Sequence, residues 1–131
     1  MEIIEEEKNG AYIFRIAGRL DSKTSPEFET RVYHAIEKGF VKLIMDCETL
    51  GYISSAGLRV ILKATKDLKS SRGKLILCTL QEYVKEVFEI AGFDTIIPIT
   101  AGVGDALEQF GNPSGDESEK QSGEPFPDGD E

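Results

Sequence analysis

Two adjacent hydroxyls, Ser54 and Ser55, stand where an apolar strand-like run gives way to a helical pattern, in Leu43-Ile-Met-Asp-Cys-Glu-Thr-Leu-Gly-Tyr-Ile-Ser-Ser-Ala-Gly-Leu-Arg-Val-Ile-Leu62. A serine at a helix start can carry a phosphate. The first backbone N–H groups there have no partner within the helix, and the helix dipole presents partial positive charge to an anion. The same position has a plainer use, because Ser is a favoured N-cap residue. On pattern alone the capping use is the commoner of the two, and both stay open at this point.

Other chemistries find less to work with. A Ser-His hydrolase would have to bring His34, the only histidine, to Ser55 together with an orienting acid, and Ile53-Ser-Ser-Ala-Gly57 has no glycine before the serine where a Gly-x-Ser-x-Gly elbow needs one. No Gly-rich loop carrying a lysine is present for nucleotide hydrolysis. Cys47 and Cys78 lie in or beside strand-like runs with no second Cys or His at ligand spacing, so they read as reduced, buried thiols. The expectation is therefore a chain with no catalytic residue, no metal and no cofactor of its own. Asp21 reads as a loop acid or a cap, and Asp46 as a strand-end acid that bonds nearby backbone N–H groups and shapes the turn. Lys63, Lys66 and Lys69 read as the wet face of an amphipathic helix.

Composition sets the frame that holds these residues. A chain of 131 residues, 40% hydrophobic and 30% charged, suits one core rather than two. Of the net charge of -9, residues 111–131 hold -6, with seven acids against one lysine, and the remaining -3 is ordinary. That balance argues against nucleic acid or a membrane surface as a partner, since both are held by clustered cations. Met1-Glu-Ile-Ile-Glu-Glu-Glu-Lys8 is acidic where a secretory signal is basic, and no run approaches membrane-spanning length. A cytoplasmic protein is expected.

The elements follow from periodicity. Residues 2–8 and 11–17 flank Asn9-Gly10, a strong hairpin signal. Residues 18–24 read as a polar loop, after which Ser25 and Pro26 supply an N-cap and a first-turn proline for a helix buried through Phe28, Val32, Ala35 and Ile36. Residues 41–46 read as a central strand, followed directly by the serine turn and by a helix with Leu58, Ile61, Leu62, Thr65 and Leu68 inward. Residues 74–79 predict a strand, the segment around Val84, Val87 and Phe88 a helix, residues 95–99 a last strand, and Val103 to Phe110 a closing helix. A hairpin joined to strand–helix crossovers implies an α/β fold: one mixed sheet with helices packed on it. Residues 111–131, rich in Pro, Gly, Ser and acids, read as a disordered acidic tail.

On two motifs together with this element order, residues 1–110 resemble the STAS domain of bacterial anti-sigma factor antagonists. The first is Gly18-Arg-Leu-Asp21 with Thr24 and Ser25-Pro26, similar to the family's Gly-x-Leu-Asp loop before its first helix. The second is Asp46 followed by Tyr52-Ile-Ser-Ser-Ala-Gly-Leu58, similar to the strand, turn and helix start that carry the family's regulatory serine. By register with Gly57 and Leu58, the resemblance makes Ser55 the phosphoacceptor. The chain departs from the commonest motif, which has Asp before the acceptor and Ser after it, where this sequence has Ser54 and Ala56. Ser54 therefore stays a candidate substitute acceptor.

The resemblance implies a partner-binding surface of Asp21, Thr24, Ser54, Ser55, Gly57, Leu58 and Arg59, with Gly57 letting another backbone approach. It implies two partners, an anti-sigma factor that is also a serine kinase and a serine phosphatase. The unphosphorylated form would sequester the kinase and release a sigma factor, and phosphorylation would reverse this. The alternative is a phosphorylation-independent STAS adaptor or scaffold subunit of a signalling or transporter complex. A small hydrolase or ligand-binding protein is a third and weaker reading.

Overall fold

Asn9 and Gly10 take φ of 53° and 81°, the left-handed values a two-residue hairpin turn requires, and fold the chain back on itself. They join β1 (Glu2–Lys8) to β2 (Ala11–Leu20) in an antiparallel pair running from Glu2 opposite Ala17 to Lys8 opposite Ala11. In the computed structural model, which describes residues 1–111, there follow α1 (Ser25–Glu37), β3 (Lys42–Ile53), α2 (Ser55–Ser70), β4 (Lys74–Cys78), α3 (Glu82–Ile90), β5 (Ile99–Thr100) and α4 (Val103–Phe110). The sheet order is β1-β2-β3-β4-β5, and every pair after the hairpin is parallel. This is the α/β fold with a mixed sheet that the order of motifs implies. The acidic tail lies outside the described residues except for Gly111.

Both faces of the sheet are covered, which is why β3 and β4 begin as near-continuous apolar runs. On one face Phe14, Ile16, Leu43, Met45 and Leu77 pack with residues of α1, α2 and α3, among them Phe28, Ile61 and Phe88. On the other, Ala11, Ile13, Ile44 and Ile76 pack against Ala106 of α4. Each fully buried Leu, Ile or Phe contributes about 1.5–3 kcal/mol relative to exposure. The end of the sheet that carries the serine junction thus rests on a packed base.

β3 is twice as long as the expected run 41–46, because it continues through two bulges. Arg15 stands beside Asp46, but Ala17 stands beside Thr49, Gly18 beside Leu50 and Arg19 beside Tyr52. β3 therefore uses an extra residue at each of two steps, and Cys47, Leu50 and Ile53 all join one buried cluster at a spacing of three. Asp46 shapes its surroundings as expected, although in mid-strand. Its Oδ1 accepts the Glu48 N–H at 3.2 Å, and its Oδ2 accepts from Arg15 at 3.3 Å.

Three other boundaries differ from expectation. Residues 18–20 are not loop but the end of β2, paired with the bulged extension of β3. Ser25 is not the N-cap of α1; Thr24 holds that position, and Ser25 is the first helical residue, 4% exposed. The expected strand at 95–99 is a 3-10 turn at Phe93–Thr95, and pairing begins only at Ile99. Pro98 has no N–H to give to a ladder, so the strand cannot start before it, although its carbonyl accepts from Leu77 at 2.9 Å.

Candidate functional site

β2 and β3 end together, with Leu20 beside Ile53, and the Ser54 N–H donates to the Leu20 carbonyl at 2.9 Å. Ser54 is extended, at φ −104° and ψ 176°, and α2 begins with Ser55. The Leu58 N–H then closes the first turn on the Ser54 carbonyl at 3.0 Å. Gly57 makes this junction possible: a Cβ there would lie 2.9 Å from both Ile53 Cγ1 and Leu20 Cγ. Its close neighbours are therefore the domain's own side chains. This corrects the expectation that Gly57 admits another molecule's backbone, since the residue is buried beneath the site.

The junction separates the two serines. Ser55, first in the helix, is exposed. Ser54 occupies the N-cap position, but its hydroxyl makes no capping bond; it is enclosed and has no hydrogen-bond partner among the described residues. Ser54 thus sits at the expected N-cap position, but the capping bond expected of its side chain is not made. An enclosed oxygen cannot reach a kinase active site, so the geometry favours Ser55 over Ser54 as an acceptor.

The β2–α1 turn forms the facing wall. Asp21 Oδ1 accepts the backbone N–H groups of Lys23 and Thr24 at 3.0 and 3.1 Å, and the Thr24 hydroxyl accepts the Asp21 N–H at 2.8 Å. The two backbone bonds to Oδ1, that from Thr24 foremost, hold the Asp21 carboxyl below the usual carboxylate range. Its other oxygen, Oδ2, lies 3.5 Å from Arg19 Nε. The Arg19 guanidinium sits 4.1 Å above the Tyr52 ring, and Tyr52 stacks on Tyr83 at 6.4 Å between centroids. Arg19, Asp21, Lys23 and Tyr52 share one open depression with Ser55. Arg19, Lys23 and Tyr52 were not singled out by sequence, because residues 18–24 and 47–53 read as loop and turn; the buried triplet Cys47, Leu50 and Ile53 was the available signal.

On α2 beyond the serine, Leu58 is half-buried and Arg59 is exposed. Arg59 borders a second cleft, of about 390 Å³, between the first turns of α1 and α2. Lys63 bonds Glu29 of α1 at 2.9 Å, while Lys66 and Lys69 are exposed, as the amphipathic pattern predicts. His34 is exposed on α1, away from the depression's lining. Cys47 and Cys78 are free and buried, and burial pushes the Cys47 thiol well up. No helix among the described residues is long and apolar enough to cross a membrane.

Comparison with known proteins agrees with this geometry. Residues 2–106 match the model of the STAS domain. BtrV of Bordetella bronchiseptica, provisionally assigned as an anti-sigma factor antagonist, is 37% identical over 99 residues, covering 76% of this chain and 85% of the relative. The anti-sigma-B factor antagonist of Listeria monocytogenes is 33% identical over 100 residues, covering 76% and 86%. Among solved structures, the anti-sigma factor antagonist SpoIIAA superposes in its unphosphorylated form with a TM-score of 0.67 at 20% identity, over 83% of this chain and 97% of that one. The phosphorylated form of SpoIIAA from Bacillus gives 0.67 at 21% identity, over 83% and 99%. With the sheet order, the serine junction and the family match in agreement, the chain belongs to the STAS domain family, and the two relatives named above bear the name anti-sigma factor antagonist, that of BtrV provisionally.

Proposed function

We propose that this protein is an anti-sigma factor antagonist whose partner affinity is set by phosphorylation of Ser55. Unmodified, it sequesters an anti-sigma factor serine kinase and so releases a sigma factor in the cytoplasm; phosphorylated, it lets the kinase go, and a serine phosphatase resets it. The observation that carries this reading is the contrast at the junction, where the Ser55 side chain is exposed at a helix start and its neighbour's hydroxyl is enclosed. Asp21, Ser55, Leu58 and Arg59 form the contact surface, and Thr24, Ser54 and Gly57 shape it from within. The names of the relatives support the partner class, and SpoIIAA is itself known in a phosphorylated form.

Electrostatics make the switch physically reasonable. A phosphate adds about −1.5 to −2 charges, and a partner surface fitted to a neutral hydroxyl must desolvate them. Each 1.4 kcal/mol of penalty weakens binding about tenfold. Within its own domain the same charge meets unpaired N–H groups of α2 and nearby cations, so the fold tolerates it. The experiment is to incubate the protein and its Ser55→Ala variant with the cognate kinase and ATP. Label is expected on the parent alone; equal label on the variant would remove Ser55 from the acceptor role.

A further inference from the structure

Arg59 stands one helical turn beyond Ser55 on α2, and both side chains are exposed. Residues four apart on a helix hold their Cβ atoms about 5–6 Å apart over one strip of surface, and an anion N-terminal to a cation is the favourable order. Of the other cations nearby, Lys23 shares the depression with Ser55 and makes no salt bridge among the described residues, whereas two are engaged. Lys63 is bonded to Glu29 at 2.9 Å, and Arg19 is held by Asp21 at 3.5 Å and by the face of Tyr52 at 4.1 Å. Arg59 has no carboxylate within salt-bridge distance among the described residues. It borders the open cleft between α1 and α2, which shares Ser22 and Ala56 with the depression that Ser55 lines.

We propose that Arg59 is the intrachain receiver of the Ser55 phosphate, drawn back along α2 into an ion pair, so that modification adds a dianion to the docking surface and withdraws a cation from it. The inference rests on Ser55 being the acceptor. Phosphate takes two parallel N–H···O bonds from a guanidinium, which a lysine cannot supply in that planar form. The charged groups facing the phosphate from other elements are Arg19 at the end of β2, Asp21 and Lys23 of the β2–α1 turn, and Glu29 of α1 across the cleft, where it is paired with Lys63 of α2 itself. Of these, Asp21 repels the phosphate, Arg19 already serves Asp21, and Lys23 offers a point charge on a flexible stem rather than a planar pair of donors. The neutral hydroxyl gives Arg59 no such partner, so the guanidinium stays available at the cleft until the phosphate arrives.

The test uses the full chain with phosphoserine installed genetically at position 55, so that no kinase is needed. The second phosphate pKa is read by 31P NMR titration in the parent and in the Arg59→Gln, Arg59→Lys and Lys66→Gln variants. Removing a pair of this kind is expected to raise that pKa by roughly 0.3 unit toward the free value of about 6. Arg59→Lys is expected to recover part of the shift. Lys66, seven residues further along the exposed side of α2, lies about 10 Å beyond Arg59 and is largely screened, so Lys66→Gln is expected to change little. A pKa that Arg59→Gln leaves unmoved, or that Lys66→Gln moves as far, overturns the proposal. A shift confined to Arg59, combined with a kinase that ignores Ser55, would uphold the pairing and sink the functional reading instead.

Discussion

Ser54 and Ser55 carry the same functional group, and only backbone geometry distinguishes them. The extended residue at the cap turns its hydroxyl beneath the helix start, while the first helical residue faces outward. A capping serine is typically worth about 1 kcal/mol. Since the Ser54 hydroxyl makes no capping bond, Ser54→Ala is expected to lower stability by less than about 0.5 kcal/mol in urea denaturation. A loss at or above the usual capping value would mean that the hydroxyl caps α2 in solution. The helix start at the two serines was legible in the residues themselves, while the choice of Ser55 as acceptor came from the resemblance, through its register with Gly57 and Leu58. The surroundings of Ser55 were not legible, because Arg19 and Tyr52 meet only when two segments without alternating polarity are paired as strands.

At the scale of elements, the bulged extension of β3 builds the site. The near-continuous apolar run stops at Asp46, so the sequence reads as a strand end there; the two extra residues keep Cys47, Leu50 and Ile53 on the core side and carry the chain on to the serines. Asp46→Ala removes the acceptor of the Glu48 N–H and one partner of Arg15. It is expected to destabilise the domain by about 1–3 kcal/mol in urea denaturation, and an unchanged midpoint would show that the bulge holds without that carboxylate. A second tie joins β1, β2 and α1, where Glu5 accepts from Tyr12 and from Arg31, each at 2.6 Å. The bond to Glu5 foremost pushes the Tyr12 phenol up to about 12. A raised phenol favours the folded state below its unfolded value of about 10, and that contribution is lost as pH climbs toward 12. Tyr12→Phe is therefore expected to lose less stability between pH 9 and 11.5 than the parent, by urea denaturation at each pH; equal losses would place the alkaline sensitivity elsewhere. The hairpin was readable from Asn9-Gly10, whereas the short β5 was displaced by Pro98, whose effect on pairing depends on a neighbour distant in sequence.

For the whole molecule, the sheet and its two covered faces form a stable platform, and the function proposed for it is confined to one end. The path from strand order to platform was accessible in sequence because apolar periodicity reports burial directly. The direction in which an individual hydroxyl points has no such signature. Under the proposed function, a phosphate on Ser55 meets the N-terminal end of the α2 dipole, so the fold is expected to be indifferent to modification while the partner is not. The measurement that bears on this most directly is calorimetric titration of the cognate anti-sigma factor with the unmodified chain and with the chain phosphorylated at Ser55, each also melted alone. The account predicts a Kd weakened at least about tenfold, equivalent to about 1.4 kcal/mol, with melting temperatures that stay close together. Equal affinities for the two forms, or a phosphorylated domain that no longer melts cooperatively, would contradict it.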